Sequence, residues 1–348
     1  MAQDMKINSN YRMNLKSAIE NNWLIPYFQP LMNTQTRECN GAEVIARLSL
    51  PGMGIYSPSV FITDTATKED LIQLTRRMME LSCTLLIGKN LPNNFMLSFK
   101  ITADTLVQPW LISSCKSLIA EGAGTLVLEL DELESVRANY DSFNDTLAVL
   151  RQSGIRIGLT GSDNSQPKVS LLLQPGSDFI RIPKEYVTGC EKLTFNRKTI
   201  DNIVYLAGNM NIKTIAEGVS NYEQEIFLTL LGVEVLQGSY YSGPLDGDAF
   251  MSFIDMSSNN NFFSFISRMM SPVVLQQCSQ LHNLTPREAE MVSHIARSVS
   301  VESDVRSSKT RSSQKRSAYR KIGVTNDIEF IHYLYNLRDK QITSDFDD

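Results

Sequence analysis

The feature that most constrains the fold is a series of short apolar runs, spaced by longer segments through the first 245 residues. Eight runs have the length and the β-branched or aromatic content of strands: 26–33, 40–48, 94–101, 125–131, 155–160, 178–182, 212–217 and 233–238. Segments 68–90 and 196–210 have helical periodicity. This alternation predicts an α/β barrel. An open doubly wound sheet is the alternative, although no Gly-x-Gly-x-x-Gly motif follows a strand.

Polar residues fall at or near the ends of these predicted strands. They are Glu43, Lys100, Glu129, Thr160, Arg181, Glu217 and Gln237. The carboxyl ends of barrel strands meet on one face, so these side chains are expected to form one cluster. Three carboxylates brought together repel one another unless cations compensate them. In an enzyme the compensating cation would be Mg²⁺ or Mn²⁺, which prefer oxygen ligands.

The positions of the histidines and cysteines exclude several kinds of chemistry. The three histidines stand at 282, 294 and 332, so Ser-His catalysis and His-rich zinc sites are excluded from the first 281 residues. The five cysteines form no Cys-x-x-Cys pair, which is typical of reduced cytoplasmic thiols. No apolar run approaches 18 residues and the N-terminus has no apolar signal region. We therefore expect a cytoplasmic chain without a membrane segment.

Five motifs in the first 255 residues resemble the EAL domain. They are Tyr27-Phe28-Gln29-Pro30, Gly41-Ala42-Glu43-Val44-Ile45-Ala46-Arg47, Leu128-Glu129-Leu130, Ile215-Ala216-Glu217-Gly218-Val219 and Gln237-Gly238-Ser239-Tyr240-Tyr241-Ser242-Gly243-Pro244-Leu245. Their order and spacing match over about residues 20–255. The resemblance implies a modified TIM barrel of the phosphodiesterases that linearise cyclic di-GMP with two divalent metals.

The resemblance also assigns residues one by one. Glu43 matches the glutamate of the name motif, and Arg47 matches the arginine that touches the substrate phosphate. Glu129 and Glu217 match two further acidic site residues, and Gln237 matches the late site glutamine.

Other positions depart from the family pattern. Lys100 stands in place of a metal-binding asparagine, Thr160-Gly161 replaces an aspartate pair that holds both metals, and Arg181 replaces a lysine. Pro183 and Ser220 replace further acidic residues.

We interpret the pocket as degenerate, with no catalytic or metal-binding residue. Its members are Glu43, Arg47, Lys100, Glu129, Thr160, Gly161, Arg181, Glu217 and Gln237. This interpretation predicts that the chain is not an enzyme and has no cofactor; Mg²⁺ or Mn²⁺ enters only if phosphodiesterase activity remains. One hypothesis is that Lys100 and Arg181 take the place of the metals and neutralise the glutamates. The alternative is that Lys100 extends to water.

The C-terminal quarter differs from the rest in charge. Residues 284–340 carry 11 Lys and Arg against 7 Asp and Glu, whereas the remainder has a net charge of −9. Leu284–Glu290, Ser307–Thr310 and Lys321–Val324 resemble the LuxR-type helix-turn-helix. That resemblance predicts a DNA-binding helix, and the alternative is a solvated basic segment. Its expected DNA contacts are Lys309, Arg311, Ser313, Gln314, Lys315 and Arg316.

The predicted organisation has four parts: a degenerate EAL barrel at 1–255, a linker or connecting helix at 256–283, a small all-α helix-turn-helix domain at 284–340 and a disordered acidic tail at 341–348. The leading interpretation is a bacterial transcriptional regulator whose inactive barrel senses a ligand or a protein. One alternative is a cyclic di-GMP receptor or residual phosphodiesterase, and another is a regulator that binds proteins and not DNA. A homodimer would match paired DNA half-sites.

Overall fold

The computed structural model describes residues 14–131, 140–160, 177–258, 272–298 and 308–324, with positions 330, 333, 334 and 337. Gly161 and residues 341–348, both named above, lie outside these ranges, as does part of the 256–283 segment. The chain divides into two compact units between Asp255 and Met256.

Nine strands form one sheet in the described part of the first unit. They are β1 (Leu24–Asn33), β2 (Cys39–Leu50), β3 (Gly54–Tyr56), β4 (Met96–Ile101), β5 (Thr125–Asp131), β6 (Arg156–Thr160), β7 (Phe179–Ile182), β8 (Lys213–Glu217) and β9 (Val235–Gln237). The strand order is β1-β9-β8-β7-β6-β5-β4-β2-β3, and β1 also pairs with β2. Eight strands therefore close into a barrel, which confirms the predicted barrel and excludes the open sheet.

The barrel is modified at its first strand. β1 runs antiparallel to both β2 and β9, whereas β2 and β4 to β9 pair parallel with one another. The turn from β1 to β2 is short, and the Asn33 side chain accepts hydrogen bonds from the backbone N–H groups of Gln35 (2.8 Å) and Thr36 (2.9 Å). Because the parallel strands share one direction, their carboxyl ends converge at one mouth of the barrel.

Ten helices accompany these strands in the described part of the first unit, and the last of them extends past its boundary at Asp255. They are α1 (Leu15–Glu20), α2 (Pro58–Phe61), α3 (Lys68–Leu86), α4 (Ala103–Leu106), α5 (Leu111–Ala120), α6 (Tyr140–Gln152), α7 (Lys184–Val187), α8 (Thr194–Asn209), α9 (Tyr222–Leu231) and α10 (Gly247–Ser258). Thr67 and Asp70 form a capping box at the start of α3. That helix ends at Leu86, earlier than the predicted 90, before Gly88 turns the chain with a φ of +69°.

A layer of buried apolar side chains lies directly beneath the predicted polar cluster. It includes Val127, Phe179, Ile215 and Val235, which form one hydrophobic cluster with Leu31 and Met96. These four stand two residues before Glu129, Arg181, Glu217 and Gln237, respectively. Because side chains in a strand repeat every second residue on one face, the apolar layer forms the floor of the polar cluster.

The second unit is helical in its described residues. Its helices are α11 (Pro272–Leu281), α12 (Pro286–Ser298) and α13 (Ser308–Ile322), and positions 330, 333, 334 and 337 are also helical. Thr285 and Glu288 cap α12 reciprocally. The side chains of Val292, Ala318 and Phe330 are fully buried and give this unit a core of its own. Among the described residues, the helices are too short or too polar to cross a bilayer.

Candidate functional site

Six of the nine predicted pocket residues come together at the barrel mouth. They are Glu43, Lys100, Glu129, Arg181, Glu217 and Gln237, on β2, β4, β5, β7, β8 and β9. Thr160 is buried at the end of β6. Arg47 lies four positions beyond Glu43 on β2, with its guanidinium 5.7 Å from the centre of the Tyr27 ring. The structure therefore gathers the acids and cations that the sequence spreads over almost 200 residues.

Arg181 is the central cation of the site. Its side chain is 1% exposed, and it donates two hydrogen bonds to the Glu129 carboxylate, from Nε to Oε2 at 2.6 Å and from Nη2 to Oε1. It also lies 3.4 Å from Glu43 Oε2 and 3.9 Å from Glu217 Oε2. Buried bidentate pairs of this kind are strong because the charged donors and acceptors are pre-aligned.

Two neutral side chains complete this buried network. Gln237 accepts a hydrogen bond from Arg181 through Oε1, and its Nε2 donates to Glu43 Oε2 at 2.8 Å. Ser98 donates through Oγ to Glu129 Oε1. Ser98 was not among the predicted pocket residues. The signal was available, because Ser98 stands two residues before Lys100 and thus faces the same side of β4.

Lys100 forms the more exposed half of the network. Its ammonium lies 3.3 Å from Glu43 Oε1 and 3.7 Å from Glu217 Oε2, and its side chain is 41% exposed. Lys100 therefore has both of the properties predicted for it as alternatives. It pairs with two glutamates, and it also reaches solvent. The Glu217 side chain is 35% exposed, whereas that of Glu43 is 6% exposed.

The neighbouring cations favour the ionised form of Glu43. Burial by itself raises the pKa of the Glu43 carboxyl, but Arg181 and Lys100 outweigh burial and hold that pKa below its ordinary value of 4.5. Burial lowers the pKa of Lys100, and Glu43 and Glu217 reverse that effect, so its pKa is raised overall. The contribution of Glu43 to stability is therefore present above about pH 4.5 and is lost as pH falls below it.

A cavity of about 320 Å³ opens beside Lys100. Glu43, Lys100, Glu217 and Gln29 line its polar end. Its apolar walls come from β2, α2, α3 and β4 and include Val44, Ile45, Ala46, Ile62, Leu74, Met78 and Phe99. A compact cavity with convergent polar groups at one end is the usual form of a small-molecule site.

The loop after β8 is held by amide contacts. The backbone N–H and the hydroxyl of Ser220 donate to Gln224 Oε1 at 2.8 Å and 3.0 Å. Gln224 Nε2 donates in turn to Glu191 Oε2 at 3.3 Å. Ser220, which departs from the family pattern, is therefore held in place by Gln224 close to Glu217.

The donor set has the oxygens that Mg²⁺ and Mn²⁺ prefer, but its arrangement does not fit a divalent ion. Arg181 engages both oxygens of Glu129, and Lys100 lies between Glu43 and Glu217. In the described part of the chain, no three His, Cys, Asp or Glu side chains are grouped to hold a metal ion. A metal at this mouth would have to displace a cation of the chain.

Comparisons with known proteins agree on the barrel. The EAL domain family model matches residues 12–244. The cyclic di-GMP phosphodiesterase PdeL of Escherichia coli K12 is 30% identical over 246 residues, which cover 68% of this chain and 66% of PdeL. The probable cyclic di-GMP phosphodiesterase PdeG of the same strain is 26% identical over 236 residues, 66% of this chain and 46% of PdeG. The chain thus covers less than two thirds of either relative.

Solved structures show the same fold. The EAL enzyme Bd1971, in a form bound to cAMP and cyclic di-GMP, has a TM-score of 0.59 and 21% identity. The likeness covers 69% of this chain and 67% of that one. At this level of identity the comparison supports the barrel architecture alone.

Two predictions from the sequence need correction. The prediction that the chain is not an enzyme is contradicted by PdeL and PdeG, which are named as phosphodiesterases. Substitutions at Lys100, Thr160 and Arg181 are therefore insufficient grounds to exclude activity. The prediction of no metal or other cofactor is contradicted as well. It depended on the loss of activity, and resemblance to the matched EAL family implies Mg²⁺ or Mn²⁺.

Proposed function

The chain belongs to the EAL domain family, and from that premise we propose that its barrel acts on cyclic di-GMP, which it binds at the mouth beside Lys100. The observation that carries this proposal is the 320 Å³ cavity, in which an ammonium group and apolar walls face the same space. Cyclic di-GMP joins two anionic phosphodiesters to two flat bases. A cavity of this form suits one guanosine half of such a ligand.

The two ends of the cavity have complementary roles in this proposal. The Lys100 ammonium is 41% exposed and attracts a phosphodiester at the polar end. The apolar walls, among them Phe99 and Met78, remove one face of a guanine base from water. Arg47 follows on the same face of β2, about 13 Å beyond Glu43 at the rise of an extended strand. It is placed to pair with the second phosphodiester.

We expect Arg47→Ala to weaken binding of labelled cyclic di-GMP by at least tenfold, because a phosphate–guanidinium pair contributes about 1.5–3 kcal/mol. Binding is measured on the full chain with Mg²⁺ and with Mn²⁺, and linear product is followed in the same tube. Arg156→Ala is the control, since Arg156 is an exposed arginine at the amino end of β6. Linear product would assign phosphodiesterase activity, and binding without product would assign recognition. Failure of the wild-type chain to bind in either metal would overturn the proposal.

We further propose that the second unit is a DNA-binding module of LuxR type over 284–340, joined through 256–283. The observation that favours it is the exposed face of α13. Ser313, Arg316 and Arg320 recur at a spacing of three and four residues and are exposed, whereas Ala318 and Tyr319 are buried. Lys309 and Arg311 lie on the same helix, although the structure does not describe their side chains.

Two lysines of α13 already contribute to packing of this unit. Lys321 Nζ donates to Glu288 Oε2 at 2.6 Å, and Lys315 Nζ lies 5.5 Å from the centre of the Tyr319 ring. Arg316 and Arg320 face solvent, so a DNA phosphate can reach both. With both proposals combined, the chain is a transcriptional regulator that responds to cyclic di-GMP.

We expect Arg316→Ala and Arg320→Ala each to weaken binding of a mixed-sequence DNA duplex and to reduce the log–log salt slope by about one, as loss of one phosphate contact should. Fluorescence anisotropy over a range of salt concentrations measures both quantities. Lys198→Ala, an exposed lysine on α8, is the control for a simple change in net charge. Unchanged affinity and slope in both arginine variants would contradict this role of α13.

A further inference from the structure

The two cations of the barrel mouth are held very differently. Arg181 is 1% exposed, and its guanidinium is fixed by Glu129 and Gln237. Lys100 is 41% exposed, and its ammonium meets two carboxylates at the looser distances of 3.3 Å and 3.7 Å. A buried bidentate pair is costly to break. A half-exposed lysine pair contributes little to stability, and the flexible stem of the lysine can swing into water.

We propose that Arg181 is the fixed counter-ion of this site and Lys100 the exchangeable one, so that a divalent cation binds at the mouth only in exchange for the Lys100 ammonium. This exchange explains why the acidic cluster, as it is arranged here, does not fit a divalent ion. The ammonium stands where the oxygens of Glu43 and Glu217 converge. Lys100 therefore sets the affinity of the mouth for divalent cations.

Departure of Lys100 would leave a site that a divalent ion can complete. Glu43 Oε1 and Glu217 Oε2 would lose their shared partner. They would have to close in by about 1 Å to reach the usual metal–oxygen distances of about 2.0–2.6 Å. Glu217 is free enough to do so, since its side chain is 35% exposed. Glu43 cannot leave, because Gln237 and Arg181 hold its other oxygen.

The charge balance acts in the same direction. Arg181 and Lys100 offset two of the three negative charges of Glu43, Glu129 and Glu217. Without the Lys100 charge, Arg181 would offset one of these three charges, and a net charge of −2 would remain in this network. A divalent cation would therefore bind more favourably at this more negative mouth than at the wild-type mouth. Replacement of Lys100 by an uncharged side chain of similar length is thus expected to strengthen metal binding.

The test compares Lys100→Met with Lys100→Arg, which keeps the positive charge. Mn²⁺ alone is titrated into each full-length variant by calorimetry. The melting temperature is measured with Mn²⁺ and with NaCl of equal ionic strength. We expect Lys100→Met to bind Mn²⁺ at least tenfold more tightly than the wild-type chain and to gain more in melting temperature from Mn²⁺. Lys100→Arg is expected to bind Mn²⁺ no better than the wild type.

A second substitution locates the site and guards against an indirect effect. Glu217→Gln added to Lys100→Met should remove the gain in Mn²⁺ affinity, because it removes one of the two converging carboxylates. If Lys100→Met fails to fold, Lys100→Gln takes its place. Equal Mn²⁺ affinity in the wild-type and uncharged variants, or a gain that survives Glu217→Gln, would overturn the proposal. Because the Mn²⁺ titration contains no nucleotide, such a result would not bear on the proposal that the barrel binds cyclic di-GMP.

Discussion

Replacement of Arg181 by methionine is expected to lower the free energy of unfolding by about 3–5 kcal/mol, the cost of removing one partner from a buried ion pair. Glu129 is 1% exposed and Glu43 is 5% exposed, so neither carboxylate can turn to water for a new partner. Gln237 and Ser98 would remain as neutral donors, which do not balance a buried charge. The variant therefore keeps the volume of the side chain and loses the charge that makes two buried acids tolerable.

The same substitution should weaken the dependence of stability on pH. In the wild-type chain the cations hold the pKa of Glu43 below 4.5, so its contribution is present above that value and is lost on acidification. Without Arg181, burial is still opposed by Lys100 and by the Gln237 hydrogen bond, but the largest of the lowering effects is gone, so the pKa of Glu43 rises from its wild-type position. The pKa difference between the folded and the unfolded state then changes in favour of the protonated folded form, so less stability is lost as pH falls below about 4.5.

Urea unfolding between about pH 3 and pH 8 measures both effects. Arg181→Lys keeps the charge without the two-pronged geometry and should fall between the wild type and Arg181→Met. Arg156→Met is the surface control, since Arg156 is 52% exposed and pairs with Asp178 at 3.3 Å. It should cost no more than about 1 kcal/mol. An Arg181→Met variant as stable as the wild type, with the same pH dependence, would mean that the network does not hold the barrel mouth together.

Much of the barrel was predictable from sequence, because strand periodicity is a local property. Each of the eight predicted runs overlaps a strand of the closed barrel. β3 was missed, since a strand of three residues that begins at Gly54 is too short to show an alternation. The antiparallel direction of β1 was also missed, although the short connection from Asn33 to Cys39 allows no parallel crossover, which needs a dozen or more residues.

The candidate site was predictable as a set of residues but not as a set of pairs. Strand ends placed Glu129 and Arg181 at one mouth, but the sequence does not indicate that they meet across the intervening strand β6. Gly158 of β6 helps to explain the contact. A Cβ at that position would lie 2.9 Å from Glu129 Cγ, so a side chain there would crowd the carboxylate. Such contacts depend on three-dimensional space that no local pattern encodes.

Gly238→Ala is expected to destabilise the barrel by about 3 kcal/mol or more, the upper end of the range for an overpacked interior. A Cβ at Gly238 would lie 2.0 Å from the carbonyl oxygen and 2.4 Å from the nitrogen of Val219. These are backbone atoms, which cannot move aside as a flexible side chain could. Two hydrogen bonds depend on this close approach, from Val219 N to Gln237 O and from Tyr240 N to Val219 O, both at 3.0 Å.

The effect should also reach the mouth of the barrel, because the clash lies between the ends of β8 and β9. Glu217 and Gln237 are register partners on these two strands. Separation of Val219 from Gly238 would shift Gln237, whose amide group joins Arg181 to Glu43. The variant should therefore lose cyclic di-GMP binding together with stability. Arg47→Ala, in contrast, should reduce binding while leaving the melting temperature close to that of the wild type.

Gly243→Ala provides the control in the same segment. Gly243 is exposed, and a Cβ there would meet no atom within 4 Å. That variant should stay within about 0.5 kcal/mol of the wild type in urea unfolding. Gly238→Ala unfolding within about 1 kcal/mol of the wild type would show that the two strand ends can separate at little cost. The positions of Glu217 and Gln237 would then have to depend on Arg181 and Lys100 more than on the backbone beneath them.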